Sequence, residues 1–171
     1  MNDGLIDAFA HNAWAMRELL RVCRDLTPAQ LQATAPGTYG SISETFRHIV
    51  SSEPRYYARL VGEPVSSDQR AEEPGLEDIA ASIDDLAAKW DAFLAQPFDA
   101  ERTLVVPWDD GRDYDVPCGV ILAQALHHGN EHRAHLCTVL SSIGVTPPAL
   151  GLWDYAEATH RAKPRPTQPS R

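Results

Sequence analysis

Leu126-His127-His128-Gly129-Asn130-Glu131-His132-Arg133-Ala134-His135 places four of the chain's seven histidines within nine positions. Val120, Ile121 and Ala125 before it, and Cys137, Val139, Leu140 and Ile143 after it, supply apolar surface. The whole stretch therefore reads as one helix, starting near Cys118 and ending before Gly144. At about 100° per residue, His128 and His132 differ in direction by about 40°, and His135 returns to within about 20° of His128, so three imidazoles share one stripe. His127 points about a quarter turn away and reads as a surface residue or as one that supports a ligand from behind.

Upstream, Leu5, Ile6, Phe9, Ala13, Met16, Leu19, Leu20 and Cys23 recur at helical spacing over residues 4 to 25, and Leu26-Thr27-Pro28 opens a short new turn. Ser41-Ile42-Ser43-Glu44 is a capping box ahead of Phe46, Ile49, Tyr56, Tyr57 and Leu60, which predicts a helix over about 42 to 61 with a kink near Pro54. The segment from Val61 to Gly75 has breakers and no periodicity, and is expected to be a long loop. A third long helix follows from about 75 to 95, on Leu76, Ile79, Ile83, Leu86, Trp90, Phe93 and Leu94.

Asp109-Asp110-Gly111 between Thr103–Trp108 and Tyr114–Val116 signals a small hairpin. After Pro147-Pro148 a short helix is expected over about 151 to 161, followed by a disordered basic tail, so that residues 1–160 form one domain and 161–171 the tail. The resulting fold class is all-α: an antiparallel four-helix bundle with a small β-hairpin before the last long helix and a short C-terminal helix.

At 171 residues the chain can bury a core without disulfides or a structural metal, which leaves any metal free for function. Apolar residues make up 43%, with no run long enough to span a membrane and no signal-peptide pattern, so a soluble cytoplasmic protein without a membrane partner is expected. The net charge is −9; the segment after Thr159 holds four of the 15 basic residues and no acid, so the rest stands at 11 against 24, or −13. Such an acidic body argues against a nucleic-acid partner. Cys23, Cys118 and Cys137 form no CxxC and read as reduced, buried thiols, with a ligand role left open for Cys118.

Imidazoles at i and i+4 direct their nitrogens toward one point, where Zn²⁺, Ni²⁺ or Fe²⁺ binds well. A catalytic site of this kind needs a third protein ligand. His48, mid-way along the 42–61 helix, is the favoured source; His135 on the same stripe and His11 on the first helix compete. His128-Gly-Asn-Glu131-His132 also satisfies the H-x-x-E-H pattern of inverted zinc proteases, but only Asp154 and Glu157 follow it as downstream acids, in a chain much shorter than those enzymes. A helix of polar histidines without metal is the remaining possibility.

Four stretches together resemble the DinB/YfiT-like superfamily of metal-binding four-helix bundles, and the resemblance spans nearly the whole chain. They are Ala10-His-Asn-Ala-Trp14-Ala; Gly40-Ser-Ile-Ser-Glu-Thr-Phe-Arg-His48-Ile-Val before Glu53; His128-x-x-x-His132-Arg133; and Gly144-Val-Thr-Pro-Pro148 with Trp153-Asp-Tyr-Ala. The resemblance implies that His48, His128 and His132 are the metal ligands. Where relatives often continue as Arg-Gly-Gln, Arg133 is followed here by Ala134-His135.

It further implies a divalent metal, Zn²⁺ or Ni²⁺ first, and an activity of thiol transfer or hydrolysis on a small-molecule electrophile. A low-molecular-weight thiol serves some relatives as cosubstrate, and a homodimer is expected. A noncatalytic metal-binding stress or sensor protein with the same bundle is the alternative. Glu131 and Glu53 are the carboxylates expected to orient an imidazole or accept a proton, and Arg133 to bind an anionic substrate, with Glu131 and Arg133 taken as the catalytic pair. Trp14, Tyr39 and Tyr57 are candidates to line the pocket, although core packing is the simpler expectation for Trp14.

Overall fold

The computed structural model describes residues 3–65, 74–108 and 110–165. Its helices are α1 (Asp3–Cys23), α2 (Pro28–Leu31), α3 (Ile42–Val61), α4 (Leu76–Leu94), α5 (Cys118–Ser142) and α6 (Leu152–Ala158), and its two strands are β1 (Thr103–Pro107) and β2 (Asp113–Pro117). Most of the expected loop at 61–75 and most of the expected tail lie outside the described residues. The tail's first residues are held: Arg161 pairs with Asp7 at 2.5 Å, and the Ala162 N–H donates to the Ala156 carbonyl.

Local chemistry accounts for the helix ends. At the start of α3, Ser41 Oγ accepts from the Glu44 N–H while the Glu44 carboxylate accepts from the Ser41 N–H at 2.8 Å, and the helix closes on Gly62 at φ 76°. Pro54 lies inside α3 without breaking its helical run. The antiparallel hairpin pairs Thr103 with Pro117 through Pro107 with Asp113, so β2 ends where α5 begins. The Cys118 and Gly119 N–H groups donate to the carbonyls of Arg102 and Ala100, tying the start of α5 to the strand's approach.

The four long helices pack mainly as two pairs, α1 with α4 and α3 with α5. Phe9 meets Trp90, Arg17 meets Asp84 and Arg24 meets Glu77, so α1 and α4 are antiparallel. His48 meets His128 and Tyr56 meets Gln124, so α3 and α5 are antiparallel too. Between the pairs the sense differs. Asn12 meets Arg133, Phe9 shares one core cluster with Ile121 and Ala125, and Leu20 shares the other with Leu136 and Leu140, so α1 and α5 run parallel; the successive helices α3 and α4 must then also run parallel. A simple antiparallel order predicts the reverse for α3 and α4.

The core is in two parts. One end gathers Met16, Leu19, Leu20, Ile42, Phe46, Ile79, Leu136, Val139 and Leu140. The other gathers Phe9, Leu60, Leu86, Trp90, Leu94, Ile121, Leu122 and Ala125. On α1, α3 and α5 the residues between these sets are polar and buried: Asn12, Glu53, His128, His132 and Arg133. A polar waist therefore crosses the molecule at mid-helix. His11 Nε2 lies 2.7 Å from the Leu150 carbonyl oxygen, and with Trp14 and Tyr155 it packs α6 onto α1.

Candidate metal centre

Within the waist, His48 from α3 and His128 and His132 from α5 come together, with one ligand nitrogen of each inside 4.8 Å of the others. His48 Nε2 and His128 Nε2 are 2.9 Å apart. An ion 2.0–2.1 Å from two tetrahedral nitrogens separates them by about 3.3 Å, so this pair would part by a few tenths of an ångström to share one. Burial pushes all three imidazoles down: His128 reaches about 4, with the charges of His132, His48 and His127 adding to burial. His48 is lowered further by Arg55, and His132 by His48 and His135 against the opposing pull of Glu131. Each is thus neutral at pH 7, the form in which imidazole offers a lone pair. The buried Nδ1 atoms of His128 and His132 have no hydrogen-bond partner among the described residues. The donor set, its neutrality and its spacing fit a divalent transition-metal ion.

The loop before α3 shapes one side of this centre. Gly37 takes φ 79°, Thr38 Oγ1 donates to the Ala35 carbonyl, and a Cβ at Gly40 would fall 2.8 Å from Glu44 Oε2. Held this way, Tyr39 stacks on His48 with centroids 4.2 Å apart and meets His132 edge-on at 5.0 Å. Tyr56 stands edge-on to His128, its hydroxyl 3.5 Å from Gln124 Nε2.

The other expected residues are distributed around the centre. His135 lies against His132, with centroids 5.4 Å apart, but outside the three-nitrogen group. His127 faces outward, 3.8 Å from the exposed Glu131 carboxylate. His11 is engaged by Leu150, Trp14 packs with His11 and Tyr155, and Tyr57 packs against Trp90 and Phe93. Cys118 is buried in an apolar cluster.

Arg133 and Glu53 point into the waist. Arg133 Nη1 donates to Asn12 Oδ1, and Asn12 Nδ2 donates to Glu53 Oε1 at 2.8 Å. Burial drives Glu53 up to about 7 against the pull of Arg133, Trp90 and Asn12, and drives Arg133 down to about 10. A cavity of about 10 Å³ beside Glu53, between Asn12, Met16, Ile83 and Trp90, has room for a single water.

Asn12, Tyr56, Gln124 and Gly129 also belong to this region, and the sequence motifs assign none of them a role. Asn12 carries a signal all the same, as a polar residue on the core stripe of Phe9, Ala13 and Met16.

Residues 1–168 match the sequence model of the DinB family. A search of curated proteins finds no match. Among solved structures, a DinB-like protein from Bacillus cereus ATCC 10987 superposes with a TM-score of 0.65 at 19% identity, over 86% of this chain and 95% of that one. At that identity the likeness speaks for the fold, and the match along the sequence, which takes in all three clustered histidines, speaks for descent: the chain belongs to the DinB family.

Proposed function

We propose that this four-helix bundle is a metal-dependent enzyme that acts by thiol transfer or hydrolysis on a small electrophilic substrate. His48, His128 and His132 hold the ion, Zn²⁺ or Ni²⁺. The observation that carries this reading is the meeting of three neutral imidazoles from two helices, with His48 half-buried rather than sealed. Three protein ligands leave a position for an exogenous group, as catalytic rather than structural sites do. When bound, such an ion supplies Lewis acidity that brings the pKa of water or of a low-molecular-weight thiol toward neutrality.

The remaining work falls to this chain's own groups. Tyr39 covers the His48 ring and excludes water from that side, while Tyr56 and Gln124 stand beside His128 and line the approach. The role of proton acceptor for an incoming nucleophile is assigned to Glu131, which is exposed on the same turn as His132 and whose charge acts on that imidazole. Arg133 does not face that approach; its contribution runs through the buried groups it contacts.

Elemental analysis of purified, untagged protein tests the reading. Wild type should carry about one metal per chain, and His48→Ala, His128→Ala and His132→Ala should each carry almost none. A screen of thiols against small electrophiles, and of hydrolysable esters and amides, then separates the two chemistries. No uptake by wild type after reconstitution with Zn²⁺ or Ni²⁺ would sink the metal reading; full occupancy without turnover in either screen would favour a binding or sensing protein.

A further inference from the structure

We infer that Asn12, Glu53 and Arg133 form a buried positioning network, admitted by Gly129, that sets the rotation of α5 against α3 and thereby brings His128 and His132 to His48. The inference rests on the metal reading for its affinity measurement and on the geometry alone for the rest.

The two helices carry matched spacings. His48 and Glu53 are five residues apart on α3, and so are His128 and Arg133 on α5, a turn of about 140° in each case. The α3–α5 seam therefore has imidazoles on one flank and, on the other, a carboxyl and a guanidinium joined through Asn12. Two polar contacts on opposite flanks resist rotation of α5 about its own axis, which apolar packing alone resists weakly because neighbouring apolar rotations differ little in buried area.

Asn12 joins the flank to a third helix. Its carbonyl oxygen accepts from Arg133 and its amide donates to Glu53, so α1, α3 and α5 meet at one residue. All three side chains are buried, at 3%, 8% and 4% exposure for Asn12, Glu53 and Arg133. Withdrawing a carboxyl and a guanidinium this far from water makes them a poor source of stability. Pairs of that kind have their best-attested use in specifying register.

Gly129 supplies an independent observation. Glycine in the middle of a long helix weakens it, and no turn or positive φ at this position calls for one. A Cβ here would stand 2.6 Å from Asn12 Oδ1 and 2.9 Å from Arg133 Nη1. Both atoms are buried and joined by a hydrogen bond, so moving either one to make room disturbs the network. The missing methyl is the space in which the network forms, one residue from His128.

The test is a double-mutant cycle on Gly129→Ala and Asn12→Ala, reading Zn²⁺ affinity by chelator competition and, in metal-free protein, the imidazole C–H NMR signals of His132, which lies edge-on to Tyr39 and His48. On helix propensity alone, Gly129→Ala strengthens α5. The network predicts instead that it weakens Zn²⁺ binding about tenfold or more and shifts the His132 signals. In the Asn12→Ala background, where the methyl has room, the same change should have no further effect. Arg133→Lys should retain more affinity than Arg133→Met.

Folded variants with wild-type affinity and wild-type His132 signals would overturn the inference, as would losses that simply add. Should wild type bind no Zn²⁺, the metal reading fails, and the network stands or falls on the His132 signals alone. Should Gly129→Ala fail to fold, Asn12→Ala and the Arg133 pair decide by the same two readouts.

Discussion

The two apolar ends of the molecule and the polar waist between them are built on opposite terms. At the ends, Leu19, Phe46, Leu136 and Leu140 are fully enclosed, and nothing about them asks for a particular atom to face a particular atom. In the waist, two histidines, a glutamate, an arginine and an asparagine are withdrawn from water beside the half-buried His48, and each is worth having only in one orientation. The ends supply stability and tolerate volume-conserving change. The waist gives up stability for placement, and mid-helix is where such groups are held most rigidly, because both neighbouring turns are packed. The difference teaches that stability and metal binding should respond to separate sets of substitutions.

The largest separation is expected from Leu19→Ala. Leu19 is wholly buried on α1 at the end away from Phe9, and its truncation leaves a cavity in close-packed surroundings. Urea unfolding should show a loss of about 2–5 kcal/mol. Metal content per folded chain should not change. His128→Ala is the converse: it removes a partly unsatisfied imidazole, so metal-free stability should shift little while metal uptake collapses. If Leu19→Ala emptied the site in protein that is still folded, the two regions would not be separable.

A smaller effect, with a definite sign, comes from Glu53. Its carboxyl moves from an ordinary value of 4.5 to about 7 on folding, because burial outweighs Arg133, Trp90 and Asn12, the groups that face it. The folded chain therefore binds the proton more tightly than the unfolded chain. Glu53's contribution is fully present below about pH 4.5 and is lost as pH rises through about 7, an effect of up to about 3 kcal/mol. His11, His48, His128 and His132, all lowered, act in the opposite direction over the same range. The stability of wild type minus that of Glu53→Gln, in metal-free protein, isolates this contribution: the difference should fall with rising pH between 4.5 and 7. A flat difference would mean that Arg133 keeps Glu53 ionised throughout, and the waist would be a conventional ion pair.

Much of this arrangement is legible in the amino-acid sequence. The capping box at Ser41 and Glu44, the periodicity from Leu76 to Leu94 and the stop at Gly144 are local signals, and helix limits follow them closely. The histidine stripe is likewise local. Direction is not: nothing in residues 62–75 says whether α4 runs with or against α3, because that is decided by which faces pack. The roles of Glu53 and Arg133 are ambiguous in sequence for a related reason. A long side chain beside a ligand can turn toward the site or into the core, and only the fold chooses. The pattern does hold a hint, since Glu53 shares a stripe with Phe46 and Ile49, and Arg133 shares one with Leu136 and Leu140. A charge on a core stripe asks for a buried partner, and Asn12 on its own core stripe is one such partner.

The smallest expected effect lies on the surface of α1 and α4. Arg17 Nε and Asp84 Oδ1 are 2.7 Å apart, with side chains 46% and 64% exposed. Water competes at that exposure, so a double-mutant cycle with Arg17→Ala and Asp84→Ala should give a coupling below about 1 kcal/mol. It should shrink further between low salt and 1 M NaCl, where the screening length falls to about 3 Å. Metal content should be unaffected, because the pair touches neither the waist nor the seam that carries the imidazoles. The alignment of α1 with α4 then belongs to Phe9, Trp90 and the apolar residues around them, and the charges only decorate its edge. A coupling of about 2 kcal/mol or more that survives high salt would reverse that assignment: the ends, like the waist, would be specified by polar contacts, and the division between a stabilising part and a placing part would have to be redrawn.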